Sequence, residues 1–141
     1  MRFFHISDLH FGKLLYGYDL TEEHRNFIEQ LGNYCDKYNP DAVLIAGDVY
    51  DRSVPSADAM TLLDELLNKL SGRKVFIISG NHDNAKRLSF GKDFLKKHDI
   101  YISTVPQTGE NEKIEKVTFA DEYGNVNIYM LPFLKPALFK N

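Results

Sequence analysis

The chain has 141 residues, 43% apolar, 26% charged and 13% aromatic, with 17 Lys and Arg against 20 Asp and Glu for a formal net charge of −3. This composition suits one domain of ordinary size with a real core and excludes collagen-like, low-complexity and disordered chains. The acidic balance gives no bulk pull toward nucleic acid, so any such contact must come from local basic residues or metal ions. The longest clean apolar runs, at 43–46 and 75–78, fall far short of the roughly 20 residues needed to cross a bilayer. The N-terminal segment meets Asp8 too soon for a signal peptide, and the lone Cys35 makes no internal disulfide. The chain therefore reads as cytoplasmic, in a reducing compartment and away from membranes.

Residues 2–7 form a short, aromatic-rich strand candidate that runs straight into Asp8. Residues 21–38 read as a helix, with Phe27, Leu31, Tyr34, Cys35 and Tyr38 on one apolar stripe, Thr21 as its cap and Asn39-Pro40 as its stop. Residues 42–46 are a continuous apolar run suited to a buried parallel strand. A second helix over 56–70 places Met60, Leu63, Leu66, Leu67 and Leu70 inward and stops at Ser71-Gly72. A third strand covers 74–79, residues 88–98 are helical, and 100–103 form a fourth strand. After Pro106 the character changes. Residues 110–116 read as a loop or strand edge, and 118–119 and 126–131 as strands around a turn at Gly124-Asn125. The alternation of strands and helices predicts an α/β fold with a parallel sheet and right-handed crossovers.

Hard-ligand residues fall where the strands end. Asp8 and His10 follow the first strand, Asp48 and Asp51 follow the second behind Gly47, and Asn81, His82 and Asp83 follow the third behind Gly80. Neighbouring parallel strands deliver their carboxyl ends to one edge of a sheet, where ligands bind. Carboxylate, imidazole and amide oxygen together suit Mn²⁺, Fe²⁺ or Zn²⁺. Gly47 and Gly80 let the chain turn sharply off a strand and present the next side chain.

Asp-x-His, Gly-Asp-x-x-Asp and Gly-Asn-His-Asp in this order resemble the calcineurin-like metallophosphoesterases. The segments 7–13, 47–52 with Pro55-Ser56, and 131–136 (Leu-Pro-Phe-Leu-Lys-Pro) are similar, more narrowly, to the SbcD-type nucleases that act on DNA double-strand breaks. The resemblance implies a sandwich of β-sheets flanked by helices. It also implies DNA phosphodiester hydrolysis, exonucleolytic and endonucleolytic, in repair and recombination, with an SMC-like ATPase partner of the SbcC type and a homodimer in the full-length protein. Two divalent ions, Mn²⁺ first among the candidates, are implied with it. By the same resemblance Asp8 and His10 would hold one ion, Asp48 would bridge both, and Asn81 would bind the second. A hydroxide acidified by both ions would attack phosphorus in line. His82 would contact the scissile phosphate and aid the leaving oxygen, with Asp51 orienting it and keeping it protonated. Arg52 is either a phosphate grip or part of a structural ion pair.

The family pattern also supplies three later histidines, and here the histidines are 5, 10, 24, 82 and 98. The expectation is that residues 1–141 are the N-terminal portion of a nuclease domain, without the C-terminal metal-ligand half or any capping domain, and inactive alone. His5 reads as a packed core histidine, His24 as an exposed helix residue, and Asp83 as a turn cap in preference to a catalytic acid. Residues 11–18 read as a loop packed on the core, with contact to DNA as the other reading. A phosphatase or cyclic-nucleotide phosphodiesterase of the same superfamily is the alternative enzyme. Pro55-Ser56 and residues 131–136 weigh against it. A non-catalytic scaffold is the third reading, and the retained Asp8, His10, Asp48, Asn81 and His82 argue against that one.

Overall fold

The aromatic and apolar run Phe3–Ile6 forms β1, after which the chain makes a small exposed hairpin from β2 (Leu14–Leu15) and β3 (Tyr18–Asp19). These elements belong to a computed structural model that describes residues 1–106 and 113–134. Helix α1 (Thr21–Tyr38) leads to β4 (Ala42–Ala46), and α2 (Ala57–Lys69) to β5 (Lys74–Ile78). Two short helices, α3 (Ala85–Leu88) and α4 (Lys92–Lys96), precede β6 (Ile100–Ser103), and β7 (Glu115–Asp121) pairs with β8 (Gly124–Met130). The order β1-β4-β5-β6 is parallel throughout, as alternating strands and helices predict.

Side-chain alternation divides the molecule into three layers. Phe4, Ile6, Val43, Ile45, Val75, Ile77, Ile100 and Ile102 pack toward α1 and α2 in the main core. Residues one step out of phase, among them Phe3, Ala42, Leu44, Phe76 and Tyr101, pack against Val117, Phe119, Ile128 and Met130 of the β7–β8 hairpin. The result is a parallel sheet with helices on one face and an antiparallel hairpin on the other.

Several expectations change at this level. His5 is exposed, because it sits on edge strand β1 on the hairpin-facing side but outside the cluster that the hairpin covers. The inner stripe of α2 is Ala59, Leu62, Leu66 and Leu70, while Met60 is 52% exposed. The sequence pattern centres the stripe one position off because small Ala59 holds the tight approach to Gly12. On α1, Ile28, Leu31, Gly32 and Cys35 are buried, whereas Tyr34 and Tyr38 stack on each other outside. Thr21 does not cap α1: the N-cap is Leu20, which offers no side-chain cap, and Asp19 Oδ1 accepts from the Thr21 main-chain N–H at 2.8 Å and from the Thr21 hydroxyl. The 88–98 helix is two pieces, broken by Gly91 in the left-handed region.

The β7–β8 turn is Glu122-Tyr123, with Gly124 and Asn125 inside β8. Only Phe11 of the 11–18 loop is buried; Leu14, Leu15, Tyr16 and Tyr18 are exposed on the β2–β3 hairpin. Residues 110–112 and 135–136, singled out in the sequence, lie outside the described residues. No helix among the described residues is long and apolar enough to cross a membrane.

Candidate metal centre

The carboxyl ends of β1, β4 and β5 lie side by side, and the loops that leave them are tied together by main-chain hydrogen bonds. Asp8 N–H donates to the Gly47 carbonyl (3.1 Å), His10 N–H to Asp48 (2.9 Å) and Phe11 N–H to Val49 (2.9 Å). The backbone bends hard there. Asp8, His10 and Asp48 all have positive φ, at 57°, 47° and 50°, a region that costs a non-glycine residue about 1–2 kcal/mol. Strain concentrated on three neighbouring polar residues marks a site whose geometry the surrounding fold imposes.

Gly47 and Gly80 permit the close approach of the second and third loops. A Cβ on Gly47, whose φ is 86°, would lie 2.8 Å from the Gly80 Cα, and one on Gly80 would collide with the Asp48 carboxylate. The contact that follows joins the two loops: Asp48 Oδ1 accepts the His82 main-chain N–H at 3.0 Å.

Asp8, His10 and Asp48 offer one ligand atom each within 4.8 Å of one another, and so do His10, Asp51 and His82. His10 is common to both sets. Its Nε2 lies 3.8 Å from Asp8 Oδ1 and 4.0 Å from Asp48 Oδ2, and its Nδ1 lies 3.2 Å from Asp51 Oδ1. That last approach is off the line of a hydrogen bond, so the buried Nδ1 has no hydrogen-bond partner among the described residues. The His10 ring thus has Asp8 and Asp48 before its Nε2 and the Asp51 carboxylate beside its Nδ1. The donor set fits a divalent ion of the first transition row. Asn81, exposed, stands between Gly80 and His82 on the loop that touches Asp48, lining an open groove with Ser79, His82, Lys86, Val105 and Phe133.

Asp51 does not meet His82 as the sequence reading has it. His82 Nδ1 is 2.8 Å from the Asp51 main-chain carbonyl, and the Asp51 carboxylate turns to His10, with Lys13 Nζ at 3.9 Å. A carbonyl only accepts, so Nδ1 carries the proton and Nε2 faces outward. That hydrogen bond, with smaller contributions from nearby carboxylates, raises the His82 pKa above the usual imidazole value. Arg52 is held only loosely: Nε lies 4.0 Å from Asp51 Oδ2, and its side chain is 71% exposed.

Two residues behave differently from their sequence readings. Asp83 is 5% exposed and caps no helix, since Asn84 caps α3; its carboxylate instead accepts the main-chain N–H groups of Val49, Tyr50 and Gly80. An Asp three residues after a strand-ending glycine is the local signal for the Gly80 bond, but the bonds to Val49 and Tyr50 are long-range and leave no trace in sequence. His24 is half-buried, edge-on to Phe11 with ring centroids 5.2 Å apart. Burial lowers its pKa, partly offset by the nearby Leu9 backbone, and its buried Nδ1 has no hydrogen-bond partner among the described residues.

Comparison with known proteins adds a family to this geometry. A family profile described as calcineurin-like phosphoesterase matches residues 1–137. The chain is 34% identical over 136 residues to the SbcD subunit of the nuclease SbcCD from Staphylococcus epidermidis, and 34% identical over the same length to its namesake from Staphylococcus saprophyticus. In both cases 94% of this chain is aligned, and it spans about a third (34%) of the relative's length.

Proposed function

Because the chain belongs to the calcineurin-like phosphoesterase family, we propose that it provides part of the catalytic centre of a metal-dependent DNA nuclease of the SbcD type. The observation that carries this reading is the convergence of Asp8, His10 and Asp48 at one sheet edge, with His82 beside them. In the proposal Asp8, His10, Asp48 and Asn81 are the residues that would hold two divalent ions, Asp8 and His10 the first, Asn81 the second and Asp48 both. Bound divalent ions, Mn²⁺ first among the candidates, supply Lewis acidity and activate water for attack on a phosphodiester.

The protein's own groups do the rest. Asp51 sets its carboxylate beside His10, opposite Asp8 and Asp48, and fixes His82 with its carbonyl. With Nδ1 occupied and its pKa raised, His82 stays protonated to higher pH and presents an Nε2–H outward. That group donates to a phosphate oxygen and then to the leaving oxygen. Arg52 and Lys13, both on the same rim, add positive charge for the DNA backbone.

The similar proteins are named as one component of the nuclease SbcCD, which supports an SbcC-like ATPase as partner. The proposal also places further metal ligands in protein beyond these residues, and a homodimer contact on the helices that start at Ser56 and near Leu88. The test is Mn²⁺-dependent hydrolysis of linear DNA against hydrolysis of a small chromogenic phosphodiester, using the whole protein that carries this chain. DNA hydrolysis should fall at least about a hundredfold in Asp48→Asn and His82→Ala. Full activity in Asp48→Asn defeats the site assignment, and turnover of the small diester without DNA cleavage defeats the nuclease reading. Residues 1–141 alone should digest little or no DNA.

A further inference from the structure

We infer that Asp83 is a positioning residue: its buried carboxylate holds the Asp48 loop and the Asn81-His82 loop in fixed register, so the donors are assembled before any cation arrives. The inference deepens the proposed site and rests on it only for what the two loops carry. Asp83 Oδ2 accepts from Val49 N–H at 3.2 Å and Gly80 N–H at 2.9 Å, and Oδ1 accepts from Tyr50 N–H at 3.0 Å. Val49 and Tyr50 follow Asp48 directly, and Gly80 precedes Asn81 directly. One side chain therefore binds the main chain on both sides of the gap across which the donors face each other.

A second bond runs the other way. Asp48 Oδ1 accepts the His82 N–H, so each loop sends a carboxylate into the other's backbone. The two ties are chemically independent, but they close the same gap. Gly47 and Gly80 bring the backbones so near that neither accepts a Cβ. The strands beneath are parallel neighbours in regular register up to Ala46 and Ile78, so the sheet fixes the loops only at their roots. Beyond that point, backbone N–H groups at the edge need an acceptor, because a buried N–H without one bears the full desolvation penalty. Asp83 satisfies three with one side chain. Since Val49 is fully buried, water has no ready access to replace it.

The isosteric change Asp83→Asn exposes the role. An amide has one acceptor atom where the carboxylate has two, so in either orientation an NH₂ faces at least one main-chain N–H. The loops should then part, and the effect should reach His82, whose amide bonds to Asp48 and never to Asp83. Hydrogen exchange on the metal-free chain, followed amide by amide, reads this directly. In Asp83→Asn the amides of Val49, Tyr50, Gly80 and His82 should exchange at least about tenfold faster, while Val75 and Ile77 in β5 keep their protection. Asn68→Ala, which removes an exposed side-chain bond in the last turn of α2, far from the loops, should leave His82 unchanged.

Unchanged protection at His82 overturns the inference, because the carboxylate would then serve only its own three donors. Uniform loss across β5, or a variant unfolded at 25 °C, also overturns it by making Asp83 an element of global stability. Neither DNA nor metal enters the measurement, so it stands or falls apart from the nuclease assay.

Discussion

Two histidines in this site have opposite environments, and the opposition is measurable. His24 lies half-buried against Phe11, and burial lowers its pKa; His82 is exposed, and its bond to the Asp51 carbonyl raises it. The unfolded chain thus binds a proton at position 24 more readily than the folded one. Stability held by a neutral His24 is lost as pH falls from the ordinary value near about 6.5 through its folded value. For His82 the sign reverses: its stabilisation is fully present below the ordinary value and disappears as pH rises through the raised one. Titrating the imidazole resonances of the metal-free chain should put the His82 midpoint above that of His24. The reverse order would contradict both environments. Asp51→Asn separates the two functions of Asp51. The carbonyl survives, so His82 should keep most of its upward displacement, while His10 loses the carboxylate 3.2 Å from its Nδ1.

The loops depend on glycine for a reason that differs from one position to the next, and substitution should show it. Gly80 is not in the left-handed region, but an added Cβ would collide with the Asp48 carboxylate and its main-chain nitrogen. Neither atom moves without moving the site. Gly72, at φ 82°, has open space around it and faces only backbone strain. Gly80→Ala should therefore cost at least about 2 kcal/mol and Gly72→Ala about 1 kcal/mol, read by chemical denaturation. Equal losses would mean that the two backbones are less closely packed than the contact requires. The sequence reads well where one element decides the outcome. The apolar runs at 42–46 and 75–78 each lead within two residues to a glycine and then a polar ligand, and parallel pairing converts that pattern into a shared edge. It reads poorly where a neighbour decides. Met60 and Ala59 differ in exposure because Gly12 approaches α2 on the Ala59 side, and His5 is exposed because the hairpin covers Phe3 instead. The long-range bonds of Asp83 belong to the same class, since nothing local announces Val49 and Tyr50 as donors.

Across the whole molecule, the sheet gathers carboxylates that repel one another. Asp8, Asp48 and Asp51 come from two separate strand ends and approach one imidazole, in a chain whose net charge is already −3. The folded state carries that repulsion and the unfolded state does not, so a divalent cation that enters the cluster stabilises the fold by mass action. At a free concentration about 100 times the dissociation constant the gain is about 2.7 kcal/mol, which for a domain of this size raises the melting temperature by roughly 5–10 °C. Mn²⁺ should produce such a rise in the 141-residue chain, and Asp48→Asn should remove most of it. Asp58→Asn, which changes an exposed acid in the first turn of α2, should leave the rise intact. It also controls for non-specific screening, because ionic strength acts more strongly on the exposed Asp58 than on the buried Asp48. If both variants keep the full rise, the cation is binding elsewhere and the convergence of these carboxylates has another purpose. If only Asp48→Asn loses it, the sheet edge is a metal site in this chain by itself.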